Sequence, residues 1–121
     1  MRILAAAVAA LAFAASASAQ IAISADDDEI VQQDGKQVVQ AHPGPNNITI
    51  LDLSGRKPRV LGEVDVRTSV IGPPESVAIS RDLSYVLVTG ATKIDPADAT
   101  KYVPDNKLSV VDLKGLKVIQ T

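Results

Sequence analysis

The segment Asn46-Asn47-Ile48-Thr49-Ile50-Leu51-Asp52-Leu53 recurs sixty positions later as Asn106-Lys107-Leu108-Ser109-Val110-Val111-Asp112-Leu113, and a glycine follows each copy at the matching place, Gly55 and Gly115. Self-similarity at a fixed offset means that one supersecondary unit has been copied. It predicts a repeat architecture whose units stack to bury their apolar faces. Both copies close on Asp-Leu-x-Gly. Asp first and Gly fourth suit a type I turn, where the carboxylate accepts an N–H two residues on and glycine tolerates the positive φ that often follows. Asp52 and Asp112 are therefore read as turn residues; no partner acid or base beside them supports catalysis.

Outward from the repeat, the periodicity is that of strands. Short runs rich in Val, Ile, Leu and Thr are separated by Gly, Pro, Asn and Asp. The expected strands are Ile21 to Ser24, Gln37 to Gln40, Ile48 to Leu53, Arg59 to Val66, Ser76 to Ser80, Tyr85 to Thr89, Lys107 to Leu113 and Lys117 to Gln120. Several runs are apolar on successive residues, which suits strands covered on both faces, as in stacked sheets. Pro73 and Pro74 cannot donate to a ladder, so they mark a crossing segment and the next strand starts after them. Residues 74–121 then form a unit of four strands. Residues 20–66 supply the last three strands of another, with Ile21 to Ser24 in the place of Tyr85 to Thr89.

The first nineteen residues belong to another class. Arg2 gives a positive start, Ile3 to Ala15 is an apolar run, and Ala17-Ser18-Ala19 offers a small-x-small cleavage site. This is the pattern of a secretory signal peptide, cleaved after Ala19, and the run is too short for a transmembrane helix. The expected mature chain, from Gln20, carries eleven Lys and Arg against fourteen Asp and Glu. That acidic balance argues against nucleic-acid partners. There is no cysteine, so an exported fold must be held by packing and backbone pairing alone. Tyr85 and Tyr102 are the only aromatics after the signal, too few for a stacking platform.

Three stretches, in order, carry a resemblance. They are Pro74-Glu75-Ser76-Val77-Ala78-Ile79-Ser80 with Asp82, then Val86-Leu87-Val88-Thr89, then Asn106 to Leu113. Together they resemble the exported YVTN-type (YncE-like, lactonase-like) seven-bladed β-propellers of bacteria, a WD40-like repeat class. That family commonly has Ser-Pro-Asp-Gly at the hairpin; here Arg81 stands for the proline and Leu83 for the glycine. The resemblance implies an all-β, partial β-propeller: an N-terminal fragment of about two four-stranded antiparallel blades after a signal helix. A closed propeller needs at least about four blades. A self-sufficient small β-sandwich, of about seven strands, is the alternative. The implied function is that of a periplasmic or secreted, non-enzymatic binding or scaffold module. Its partner, a protein or small molecule, would meet loops at one blade face, with no nucleic acid and no membrane contact after signal cleavage. A second reading is a fragment of a lactonase-like periplasmic enzyme whose site needs the missing blades.

Two long connections, Ala25 to Lys36 and Gly90 to Pro104, are the default places for function. The first carries Asp26-Asp27-Asp28-Glu29, a carboxylate run that lacks the spaced ligands of a calcium loop. Asp34-Gly35 after it reads as a turn. In the second, Asp95-Pro96-Ala97-Asp98 predicts one short helical turn, and Lys93, Asp95, Asp98, Lys101 and Tyr102 are candidate ligand contacts. His42, the only histidine, lies beside Pro43-Gly44-Pro45 with no second ligand at metal spacing. Ser54, Ser69, Ser80 and Ser84 lack a nucleophile-elbow pattern. Asn47-Ile48-Thr49 matches a glycosylation sequon inside an expected strand. No catalytic, cofactor-binding or metal-binding residue is assigned.

Overall fold

The computed structural model describes residues 20–71 and 76–121. The expected signal peptide, 1–19, and Pro73-Pro74 lie outside these residues. The described chain is all-β, with nine strands and no helix. β1 (Ile21–Asp26), β4 (Asn47–Asp52) and β5 (Arg59–Asp65) form one sheet in that order. β6 (Val77–Ile79), β7 (Tyr85–Asp95), β8 (Asp98–Asp112) and β9 (Lys117–Gln120) form a second. β2 (Ile30–Gln33) and β3 (Lys36–Val39) make a separate hairpin inserted between β1 and β4. Every pairing is antiparallel.

The sequence repeat is also a repeat of registers. Ile23 lies across from Ile50, as Leu87 lies across from Val110. The ladder slips once between Ile50 and Leu51 and once between Val110 and Val111, the same place in each copy. A β-bulge increases local twist and bends its strand, so the repeated bulge bends β4 and β8 at the same place in the two copies. Each copy then ends alike. The Leu53 N–H donates to the Gln20 carbonyl at 2.7 Å and the Leu113 N–H to the Ser84 carbonyl at 3.0 Å. The Asp52 carboxylate accepts the Ser54 N–H at 2.8 Å and the Asp112 carboxylate accepts the Lys114 N–H at 3.0 Å, as the turn reading expects. Neither following glycine takes a positive φ, however; the left-handed residue in the second turn is Leu116, at 50°. Gly115 serves close approach instead, since a Cβ there would stand 2.5 Å from Asp112 Oδ2.

The two sheets stack face to face. Ile48, Ile50, Val64 and Val66 from the first meet Val86, Val88 and Val111 from the second, flanked by Ile21, Ile23, Val77, Ile79, Leu113 and Val118. Branched aliphatics suit this place because they fit a pleated, covered surface. Equivalent repeat residues do not share an environment: Ile48 is fully buried whereas its counterpart Leu108 is 51% exposed. The second unit has been rotated onto the first, so that Ser109 and Val111 face inward where Thr49 and Leu51 face outward. Residues 66–71 cross between the sheets and are tied to both. The Thr68 hydroxyl donates to the Asp26 carbonyl, the Ser69 hydroxyl to the Thr89 carbonyl, and Ser69 Oγ accepts the Ala91 N–H.

Two expectations are corrected. The connection from Gly90 to Pro104 is not a loop; it is an extension of β7 and β8, with Lys93 across from Val103 and Ile94 across from Tyr102. Its tip, Asp95-Pro96-Ala97-Asp98, is a tight turn and not a helical one. Asp-Pro satisfies both geometries, because proline's fixed φ serves the first helical position and also the second position of a β-turn. Cross-strand pairing on either side decides for the turn. Asp34-Gly35 closes the β2–β3 hairpin with φ of 50° and 75°, the two positive values a type I′ turn requires. At the β6–β7 hairpin, Leu83 takes φ of 58°, so leucine occupies the left-handed place that glycine fills more easily.

Candidate functional site

Both excursions leave their sheets at one end, the hairpin between β1 and β4 and the extension between β7 and β8, and Arg67 stands between them. It follows β5 in the crossing segment. Arg67 Nη1 donates to Glu29 Oε1 at 2.8 Å, and its Nε donates to Asp105 Oδ2 at 2.9 Å. Lys93 Nζ lies 3.1 Å from Asp105 Oδ1. Glu29 precedes the β2–β3 hairpin, while Lys93 and Asp105 belong to the β7–β8 extension, so one guanidinium joins the two excursions. The acids are well covered, with side-chain exposures of 13% for Glu29 and 6% for Asp105, against 35% for Arg67. Gly90 makes the close packing possible: a Cβ there would lie 3.0 Å from Arg67 Cγ and 3.2 Å from Asp105 Oδ2. A strand-interior glycine commonly marks such an approach.

Two cavities open on either side of Arg67. One, of about 540 Å³, is bounded by Lys93, Asp105, Lys107 and Ser109. The other, of about 470 Å³, is bounded by Glu29, Gly44, Pro45 and Asn46, and both share Asp65, Val66 and Arg67 as a wall. Asn46 is buried and, among the described residues, its Nδ2 has no hydrogen-bond partner. The cleft therefore presents paired cations and anions, with Arg67 and Lys93 each about a third exposed and able to meet a polar ligand, while the Asn46 amide nitrogen is buried from solvent.

The acidic run does structural work. The Asp26 carboxylate accepts the Asp28 N–H, Asp27 accepts the Glu29 and Ile30 N–H groups, and Asp28 accepts the Gly44 N–H and the Gln40 side-chain amide. With Glu29 on Arg67, each acid of the run has a protein partner. Among the described residues no group of three or more His, Asp or Glu is placed to hold a metal ion. Of the candidate contacts in the second excursion, only Lys93 reaches the cleft. Asp95 caps the Ala97 N–H at the tip, Asp98 binds Thr100 and pairs with Lys101, and Tyr102 is exposed on the extension. His42 is exposed in its loop. Ser80 and Ser84 organise the β6–β7 turn with Asp82, and Ser54 binds Asp52. No motif marks Arg67 or Asp105; the available signal is Gly90 inside an otherwise β-branched run.

Four carboxylates are held in their charged form. The Ser54 hydroxyl and N–H, with Arg59, lower Asp52 from the ordinary 3.8 to about 2. Asp82 is lowered by the Ser84 and Ser80 hydroxyls, and Asp98 by Lys101 and Thr100. Burial pushes Asp105 upward, but Lys93 and Arg67 outweigh it and the net direction is down. A carboxyl that is more acidic in the folded chain stabilises above its unfolded value and loses that contribution as pH falls through its folded value. The urea midpoint is expected to hold steady at neutral pH, then fall as pH drops from 3.8 toward about 2. Asp52→Asn should flatten part of that decline; an unchanged pH profile in the variant would contradict the assignment.

No family model matches the chain, and neither curated proteins nor solved structures yield a significant match. Among the described residues no helix is long and apolar enough to cross a membrane.

Proposed function

We propose that this chain is part of an exported propeller-type repeat protein that acts as a non-enzymatic binding or scaffold module. Its partner is met on the surface built by the β2–β3 hairpin, the β7–β8 extension and the Arg67 cleft. The observation that carries this reading is the Arg67 bridge. Two insertions at the same place in successive units are locked together at 2.8 and 2.9 Å, which preorganises one continuous surface. The propeller reading is supported by the resemblance of the repeat and by two stacked meanders with a bulge at matching sites. A sandwich with Greek-key connections sends strands back and forth between its sheets, whereas among the described residues each large sheet is made in one pass, β1-β4-β5 before β6-β7-β8-β9. Export is supported by the residue pattern at 1–19 alone.

Expression in a bacterial host, followed by fractionation and N-terminal sequencing, tests export: a mature terminus at Gln20 in the periplasm is expected, and a cytoplasmic chain retaining Met1 refutes it. The binding face is tested by placing a photo-crosslinking residue at Tyr102, on the extension, or at Lys57, in the turn at the opposite end. Discrete adducts from position 102 only are expected. Equal labelling from both positions, or none from either, counts against a dedicated face.

A further inference from the structure

The two ends of the stacked sheets differ in charge. At the end away from the β2–β3 hairpin and the β7–β8 extension lie three turns, 53–58 between β4 and β5, 80–84 between β6 and β7, and 113–116 between β8 and β9. On these turns and the strand ends beside them, Arg56, Lys57, Arg59, Arg81, Lys114 and Lys117 stand against Asp52, Asp82 and Asp112. Asp82 and Asp112 are taken up within their own turns, and Asp52 holds Ser54 and Arg59. Among the described residues the other five cations make no ion pair. The opposite end carries the acidic run 26–29 together with Asp34, Asp65, Asp95, Asp98 and Asp105, so an anion is drawn to the turn end and repelled from the other.

A cavity of about 240 Å³ lies at this end, bounded by Ile21, Ile50, Leu61, Leu83, Leu113 and Lys114. Its walls come from both sheets and from two of the turns, so it lies within the stack and not on an outer face. Five of the six side chains are aliphatic, and the sixth is an exposed lysine without an ion pair. Leu83 supplies its wall from a left-handed backbone, with φ of 58°. A leucine in that region is strained, and such strain gathers at ligand clamps. An apolar cavity of about 150 Å³ takes up benzene, so 240 Å³ has room for an aliphatic tail of about eight carbons.

We infer that this cavity takes an alkyl carboxylate, its tail packed among Ile21, Leu61, Leu83 and Leu113 and its carboxylate on the Lys114 ammonium. Ile50, the most deeply covered of the lining residues, is 2% exposed, so the tail reaches the edge of the core and leaves water there. Arg56, Lys57, Arg81 and Lys117 share the end and favour the anion through the field without having to touch it. A sugar or a nucleotide does not suit the site, because Lys114 is the one hydrogen-bonding side chain in the lining and such ligands need several placed polar groups. The site is separate from the Arg67 cleft, and the inference is independent of the partner proposed for that surface.

Titration of the purified full chain with octanoate, followed through backbone amide shifts, tests it. Saturable shifts centred on Leu61, Leu83, Leu113 and Lys114 are expected; no saturation, or shifts spread over the whole chain, overturns the inference. From butanoate to octanoate the affinity should rise about fourfold per methylene, the worth of burying one such group. A flat series, or acetate competing as well as octanoate, means that charge alone attracts the ligand and overturns the cavity as its site. Lys114→Ala, at an exposed position, is expected to weaken octanoate about threefold to fivefold and to leave octanol unchanged; undiminished octanoate binding refutes the head-group assignment. Leu83→Gly should fold as well as the parent, because glycine takes the left-handed place freely, yet weaken octanoate by about tenfold through the lost wall. Undiminished binding by that variant overturns the inference. Leu61→Trp, at a position 43% exposed, fills the space and serves as a second block should Leu83→Gly fail to fold.

Discussion

Ile48→Ala is expected to lower unfolding free energy by about 3–4 kcal/mol, the range for truncating a large aliphatic in a closed core. Leu108→Ala, at the same place in the second copy of the repeat, should cost about 0.5 kcal/mol. Chemistry and repeat position are held nearly constant, so the contrast isolates environment. Ile48 is 0% exposed amid Val64, Val86, Val88 and Val111, and a cavity there can relax only by moving two sheets, while Leu108 is 51% exposed. A domain of this size has about 5–15 kcal/mol in hand, so the first substitution removes a substantial part of it. Urea unfolding with unchanged slope is the measurement. Equal losses at both positions would mean that the rotated stacking of the two units is wrong.

The second large effect belongs to the ion cluster, and it is asymmetric. Arg67→Ala is expected to cost about 2–3 kcal/mol, because it leaves covered carboxylates without a partner. Among the described residues Glu29, at 13% exposure, loses its one cation, and Asp105, at 6%, keeps Lys93 alone. Asp105→Asn should cost less, about 1 kcal/mol, since Arg67 and Lys93 are each about a third exposed and can turn to water. Arg67→Lys should behave almost as badly as alanine, because a single ammonium cannot reproduce a planar fork donating to two carboxylates. Thermal unfolding of the three variants at low ionic strength ranks them. A ranking in which Asp105→Asn is the most damaging would show that the acids, not the guanidinium, organise the cleft. The same substitution should loosen the β2–β3 hairpin against the β7–β8 extension, visible as faster amide exchange at Ile30 and Val103.

Most of the fold is legible because its signals are local. β-branched runs end at Asp-x-x-Gly, Asp-Gly or proline, and a duplicated octapeptide places the second sheet once the first is drawn. The long connections are not legible in the same way. Ala91 to Val103 mixes Thr, Lys, Asp, Tyr and Val in no period that distinguishes a wet loop from a narrow hairpin. Asp95-Pro96 fits a helix start and a turn equally, and only the pairing of Thr92 with Pro104 and of Ile94 with Tyr102 separates them. The acidic run at 26–29 looks like ligand chemistry when read alone, yet its partners, Gln40, Gly44 and Arg67, arrive from elsewhere in the chain. The Arg67 cleft is the extreme case: both of its hydrogen-bond partners are 38 residues away, one on each side, so no spacing rule finds them. Gly90 alone leaves a trace, as a residue with no side chain where the neighbouring pattern calls for one.

Both tyrosines stand outside the core, Tyr85 on the open face of the second sheet and Tyr102 on the β7–β8 extension, and the sequence contains no tryptophan. The intrinsic chromophores of the described protein are therefore sentinels of its surfaces and nearly blind to its interior. Tyrosine emission and its depolarisation should change when another body settles on either surface and change little when the valine core melts.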